Sequence, residues 1–125
     1  MRKMNVLVFD DFIAGSSTVY TRPELNDQLG QNDLLALQAI VDQVAVAAGN
    51  VTVQIYHSAD QINWKTKNGT AEINAVAIAV NTTNVAFGSD GGTVPSLGFV
   101  RLGITIAAVS AQAHVKLWVT GRNQG

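Results

Sequence analysis

From Val51 onward the chain repeats one pattern, apolar residues at every second position, in blocks broken by glycine, asparagine and serine. Val51, Val53, Ile55 and His57 fall on one side of an extended segment, and Thr52, Gln54, Tyr56 and Ser58 fall on the other. Residues 71–80 (AEINAVAIAV), 99–107 (FVRLGITIA) and 113–120 (AHVKLWVT) repeat the alternation. Period-two runs at roughly ten-residue spacing, separated by turn residues, predict an all-β, antiparallel β-sandwich of about seven or eight strands, with a jelly roll as one form of it. In the last run Val115, Leu117 and Val119 point one way, and His114, Lys116, Trp118 and Thr120 the other. A large aromatic therefore sits outside the aliphatic core.

The first third of the chain is less regular. Residues 4–9 (MNVLVF) and 18–21 (TVYT) are β-rich, and 14–17 (AGSS) turns the chain between them. Residues 21–24 (TRPE) fit either a capping box with proline in the first turn, leading to a short helical turn through Leu29, or an irregular stretch. Residues 1–30 are accordingly expected as an N-terminal arm with short strands, and 31–125 as the sandwich domain, folded without the arm. Residues 33–46 carry two periods at once. Leu34, Leu37, Val41 and Val44 are helically spaced, whereas Leu35, Leu37, Ala39 and Val41 alternate. A strand to about Val44 is expected, because its neighbours are strands and tertiary context overrides local propensity.

Charged residues make up 14% of the chain, where about 25% is usual. Hydrophobic residues reach 47%. A chain of 125 residues has much surface to cover and few ions to cover it with. Burial of part of that surface against other copies or other proteins is one reading; solvation by Thr, Asn, Gln and Ser is the other. The 8 Lys and Arg residues are scattered and net charge is −1, so no basic face for nucleic acid is expected. Cysteine is absent, which removes disulfides and thiolate chemistry. The N-terminal apolar run stops at Asp10 and Asp11, too soon for a signal peptide or a membrane span. The expectation is a protein made in the cytoplasm, with no membrane partner.

One segment holds chemically active side chains together, residues 54–64 (QIYHSADQINW). His57 and Ser58 are adjacent in a strand, so they point to opposite faces and form no nucleophile–base pair. Asp60 is accounted for by an Asx turn, and Trp64 by packing on the return strand. His114 stands alone on its strand, short of a metal ligand set. Residues 89–92 (SDGG) lack the spaced carboxylates of a calcium loop. NVT at 50–52, NGT at 68–70 and NTT at 81–83 fit the glycosylation pattern but read as turn chemistry. No catalytic residue, metal or cofactor is assigned, and the chain is not expected to be an enzyme.

The segment 55–64 (IYHSADQINW) resembles a pattern recurrent in bacteriophage structural proteins and in discoidin-like carbohydrate-binding sandwiches, with Gln61 in place of the usual glycine. Residues 68–75 (NGTAEINA), 89–106 (SDGGTVPSLGFVRLGITI) and 114–125 (HVKLWVTGRNQG) are similar to small β-sandwich virion proteins of tailed bacteriophages. The resemblance implies a structural protein, such as a capsid decoration, accessory or tail component. It further implies assembly in many copies with itself and other shell proteins, in a virion put together in the host cytoplasm. It covers scaffold and carries over no functional residue. The alternative is a carbohydrate-binding module that stacks sugar rings on an aromatic platform of Tyr56, Trp64 and Trp118, with Gln54 or Lys116 as polar partners.

Overall fold

The alternating blocks become paired strands in a computed structural model of the chain, which describes residues 2–15, 17–32, 34–43, 49–78, 83–90, 96–107 and 111–123. In chain order these form β1 (Arg2–Ala14), β2 (Thr18–Tyr20), a 3-10 turn (Pro23–Leu25), α1 (Asn26–Gly30), β3 (Leu34–Gln43) and β4 (Gly49–Ser58). They continue as β5 (Lys65–Thr66), β6 (Ile73–Ile78), β7 (Thr83–Ser89), β8 (Phe99–Ile106) and β9 (Gln112–Asn123). All pairing is antiparallel, in two sheets. One is β1-β9-β3-β7; the other is β2-β8-β4, with β5 and β6 both on the far edge of β4. From β1 to β4, and again from β6 to β9, each strand passes to the opposite sheet. That is the strand order of a jelly roll.

The core lies between the sheets. It takes Leu35, Leu37, Ala39 and Val41 from β3, and Ala113, Val115, Leu117 and Val119 from β9. Facing them are Val51, Val53 and Ile55 from β4 and Val100, Leu102, Ile104 and Ile106 from β8, all at most 3% exposed. The ambiguous segment 33–46 is thus a strand over its described part, and its expected end at Val44 lies outside the described residues. β9 alternates as read, with His114, Lys116, Trp118 and Thr120 on the outside.

Residues 1–30, expected as an arm, are instead built into both sheets. β1 pairs with β9 from Arg2↔Asn123 to Ala14↔Gln112, and Val8 and Ile13 are buried. The register shifts between Leu7↔Trp118 and Phe9↔Leu117. This bulge inserts Val8 as an extra residue and breaks the period-two signal that marks the other strands. β2 pairs with β8. Beyond it, Thr21 keeps the contact through its N–H to Leu102 O (3.0 Å) and its Oγ1, which accepts from Leu102 N–H (3.1 Å). The helical turn forms, but Thr21 does not cap it; Pro23 supplies the first turn and the cap makes no side-chain bond. Leu25 and Leu29 close the core beneath it. A side chain at Gly30 would collide with the Gly98 carbonyl, so α1 packs flush on the loop before β8.

At one end the sheets are tied by polar groups. Lys67, just past β5, and Asp90, just past β7, form an ion pair with both side chains 0% exposed. Lys67 N–H donates to Ile55 O on β4 (2.9 Å), and Asp90 N–H to Leu35 O on β3 (2.8 Å). The pair therefore spans the two sheets. Among the described residues no helix is long and apolar enough to cross a membrane.

Deleting residues 1–29 is expected to unfold the domain. The deletion removes four buried apolar side chains (Val8, Ile13, Leu25, Leu29), together worth roughly 6–12 kcal/mol, which matches the entire stability of an ordinary domain. Far-UV circular dichroism and proton NMR dispersion are the readouts; a dispersed spectrum from the truncated chain would restore the arm.

Candidate functional site

Strand parity decides whether a side chain points in or out, but not which sheet carries it. Trp118 lies on the outer face of β1-β9-β3-β7, while Tyr56 is on β4 of the other sheet and Trp64, just before β5, lies against Arg101 of β8. The three aromatics expected to form one platform therefore lie on two opposite faces, each with partners that the sequence reading did not single out.

On the β2-β8-β4 face the aromatic group is Tyr20, Tyr56 and Trp64, gathered around Arg101. The Arg101 guanidinium carbon lies 3.8 Å from the Tyr20 ring centre and 4.3 Å from that of Trp64, a cation between two π-faces. Tyr20 meets Tyr56 edge to face, centroids 5.6 Å apart at 77°. The rings can meet because Gly103 lies between them. A Cβ there would be 2.8 Å from Tyr56 Cε2 and 3.2 Å from Tyr20 Cε1. Burial is the main cause that raises the Tyr56 hydroxyl above its ordinary pKa. Arg101 Nε is buried without a hydrogen-bond partner among the described residues.

On the opposite face the register aligns Trp118 (β9), Gln38 (β3) and Phe87 (β7) in one row. Two strand spacings set the aromatics about 10 Å apart. Between them runs a groove of about 400 Å³, lined also by Asn5, Ala36 and Thr120. Thr120 Oγ1 donates to Asn5 Oδ1 (3.1 Å) and fixes its polar edge. Phe87 is 75% exposed, Phe12 64%, Val85 51%, Leu34 43% and Trp118 36%. Lys116, the other polar partner named from sequence, pairs across β9 with Asp10 and Ile40 on this same face.

The His–Ser–Asp segment is the end of β4 and the turn that follows it. Ser58 Oγ donates to Asp60 Oδ1 (2.9 Å) and accepts from the N–H of Asp60 (3.2 Å) and Gln61 (2.9 Å). Asp60 Oδ1 accepts the N–H groups of Ile62 and Asn63, both at 2.9 Å. Those backbone donors, Asn63 first, hold its carboxyl well below the usual carboxylate range. Gln61 takes φ 60°, the left-handed conformation that the usual glycine would supply. His57 faces away, its Nδ1 accepting Leu97 N–H at 3.3 Å. Burial, then Lys67, lowers its pKa. His114 Nε2 lies 2.6 Å from Asp10 Oδ1, its ring against Phe12. Among the described residues no three His, Asp or Glu side chains converge as a metal site would need.

No family model matches the chain, and no curated protein sequence matches it. Solved structures with the same fold include the CBM22-1 xylan-binding domain of Paenibacillus barcinonensis Xyn10C, at 10% identity and TM-score 0.57, covering 97% of this chain and 87% of that one. They include infectious bursal disease virus, Gx strain, at 12% identity and TM-score 0.65, covering 99% of this chain and 33% of that one. The PBSX exported protein XepA matches at 15% identity and TM-score 0.56, over 98% of this chain and 38% of that one. The chain thus spans about a third of the virus protein and little more of XepA. At these identities the likeness establishes the sandwich fold, shared by particle proteins and carbohydrate-binding modules alike.

Two outcomes test this geometry. Gly103→Ala is expected to destabilise the fold by about 1–3 kcal/mol, the usual effect of overpacking, measured by urea unfolding. His57 has a depressed pKa in the fold, so its contribution is complete above the ordinary histidine value and fades as pH falls through the folded one. Between about pH 7.5 and about pH 5, wild type is therefore expected to lose more stability than His57→Gln; equal losses would contradict the assignment.

Proposed function

We propose that the chain is a non-enzymatic structural subunit of a virion or similar particle, such as a capsid decoration, accessory or tail component. It assembles in many copies by covering the outer face of the β1-β9-β3-β7 sheet. The observation that carries this reading is the apolar surface on that face, where Phe12, Leu34, Val85, Phe87 and Trp118 are all exposed. Several large apolar side chains exposed on one face favour an interface there, at a gain of roughly 25 cal/mol per Å² covered. Repeated contacts in a shell then add through multivalency. The sparse charge, 14% of residues, supports the same reading. Among the described residues no strand pairs with the outer edge of β1, which offers backbone hydrogen bonds to a neighbouring subunit. Partners are copies of the chain and other shell proteins; the setting is the virion, assembled in the host cytoplasm.

A second reading is favoured by the groove between Trp118 and Phe87, floored by Gln38 and edged by Asn5 and Thr120. Aromatic walls with a few placed polar groups suit a sugar chain, and one solved structure of this fold is a xylan-binding domain. That module would act through Trp118 and Phe87, or through Tyr20, Tyr56 and Trp64 on the other face.

Sedimentation velocity separates the two. Wild type is expected in large, concentration-dependent species, and Val85→Ser with Phe87→Ser is expected to return a folded monomer. A wild-type monomer whose tryptophan fluorescence is quenched by oligosaccharide would favour the second reading and sink the first.

A further inference from the structure

Neither face uses the Lys67–Asp90 pair, yet its surroundings are built like a reaction site. Lys67 Nζ contacts Asp90 Oδ2, with both side chains 0% exposed. The other carboxyl oxygen, Oδ1, accepts Asn68 Nδ2–H at 3.0 Å. The same Nδ2 lies 3.1 Å from Glu72 Oε2, and Glu72 Oε1 accepts Ile55 N–H. An amine, a carboxyl and an amide donor on the carbonyl oxygen are thus enclosed together, with a second carboxyl behind the donor.

We propose that Lys67 and Asp90 form a covalent cross-linking site, at which the lysine amine and the aspartate carboxyl condense to an intramolecular amide joining the two sheets. The physical drive is desolvation. A dry pocket penalises both charges, so transfer of one proton from Nζ to Oδ2 yields a neutral amine beside a neutral acid. The amine lone pair attacks Cγ, and Asn68 Nδ2–H stabilises the negative charge that grows on Oδ1. Nζ passes a second proton to Oδ2 as the Cγ–Oδ2 bond breaks. The third ammonium proton stays on the amide nitrogen, and Oδ2 leaves as water. Nothing is oxidised or reduced, and no further reactant is needed. Enclosure supplies the rate, since fixed intramolecular partners reach effective molarities of roughly 10⁵–10⁸ M.

Glu72 is a positioning residue that acts through Asn68. Burial chiefly, with some help from the Asp90 charge, raises its carboxyl above the usual pKa. Its Oε1 on Ile55 N–H and its Oε2 beside Asn68 Nδ2 hold in place the amide that faces Asp90 Oδ1. The product would pin the strand end after β5 to the strand end after β7, closing the chain between them and restricting the unfolded state.

The test is the intact mass of wild-type protein unfolded in denaturant. The expected result is one water below the sequence mass, with protease digestion releasing a branched peptide that joins the Lys67 and Asp90 segments. Lys67→Arg, which keeps the charge but cannot condense, is expected to restore the full mass. Glu72→Ala is expected to slow cross-linking at least tenfold, and Glu72→Gln to rescue it. Full mass in wild type after prolonged incubation would overturn the proposal and leave an ion pair. Water loss without a branched peptide, or persisting in Lys67→Arg, would overturn it too, because Asp90–Gly91 dehydrates to a succinimide without any lysine.

Discussion

The last strand of the chain is the middle of a sheet. β9 lies between β1 and β3, so Val119 has Val6 on one side and Leu37 on the other. Much else follows from that insertion. β1 is no loose appendage, because it pairs along its length with β9, its one strand partner among the described residues. β3 and β7 share a sheet with β1 only by the same route. The outer face where Trp118, Gln38 and Phe87 align is ordered across β9 as well. Pairings between the two ends of the chain form late and slowly, so an incomplete chain would expose both the core side of β3 and an unpaired edge.

The readable parts of the fold were those where one face is buried and the other wet. β4 and β9 alternate as read, and their in–out assignment agrees with the burial of Val51, Val53 and Ile55 and of Val115, Leu117 and Val119, although Ser58, read on the outer side, is buried where β4 ends in its turn. β1 was obscured by the extra residue Val8, which throws the alternation out of phase. β7 was missed for a different reason. It is an edge strand whose Val85–Ala86–Phe87 run is short and flanked by residues that read as turns, and its largest side chain points into solvent.

The candidate sites show the same boundary. Tyr56 and Trp118 were legible as outward aromatics and Trp64 as a packed one, but the sequence held no information on which sheet each strand joins. Arg101 and Tyr20 become a pair with Trp64 only because β2, β8 and β4 lie side by side, and Gly103 matters only as the gap between rings. The turn at Asp60 was legible because its hydrogen bonds are local. The Lys67–Asp90 pair was not, since both residues sit in segments that resemble ordinary polar loops and their burial is a product of the whole topology.

The most direct measurement is hydroxyl-radical footprinting of material held at assembling concentration and of the same protein diluted. Phe87, Val85 and Trp118 are expected to be protected on concentration, while Tyr20 and Ile62, away from that face, label equally in both. Equal labelling of Phe87 and Trp118 under the two conditions would show that the face stays wet, and the reading of the chain as a shell subunit joined through it would be contradicted.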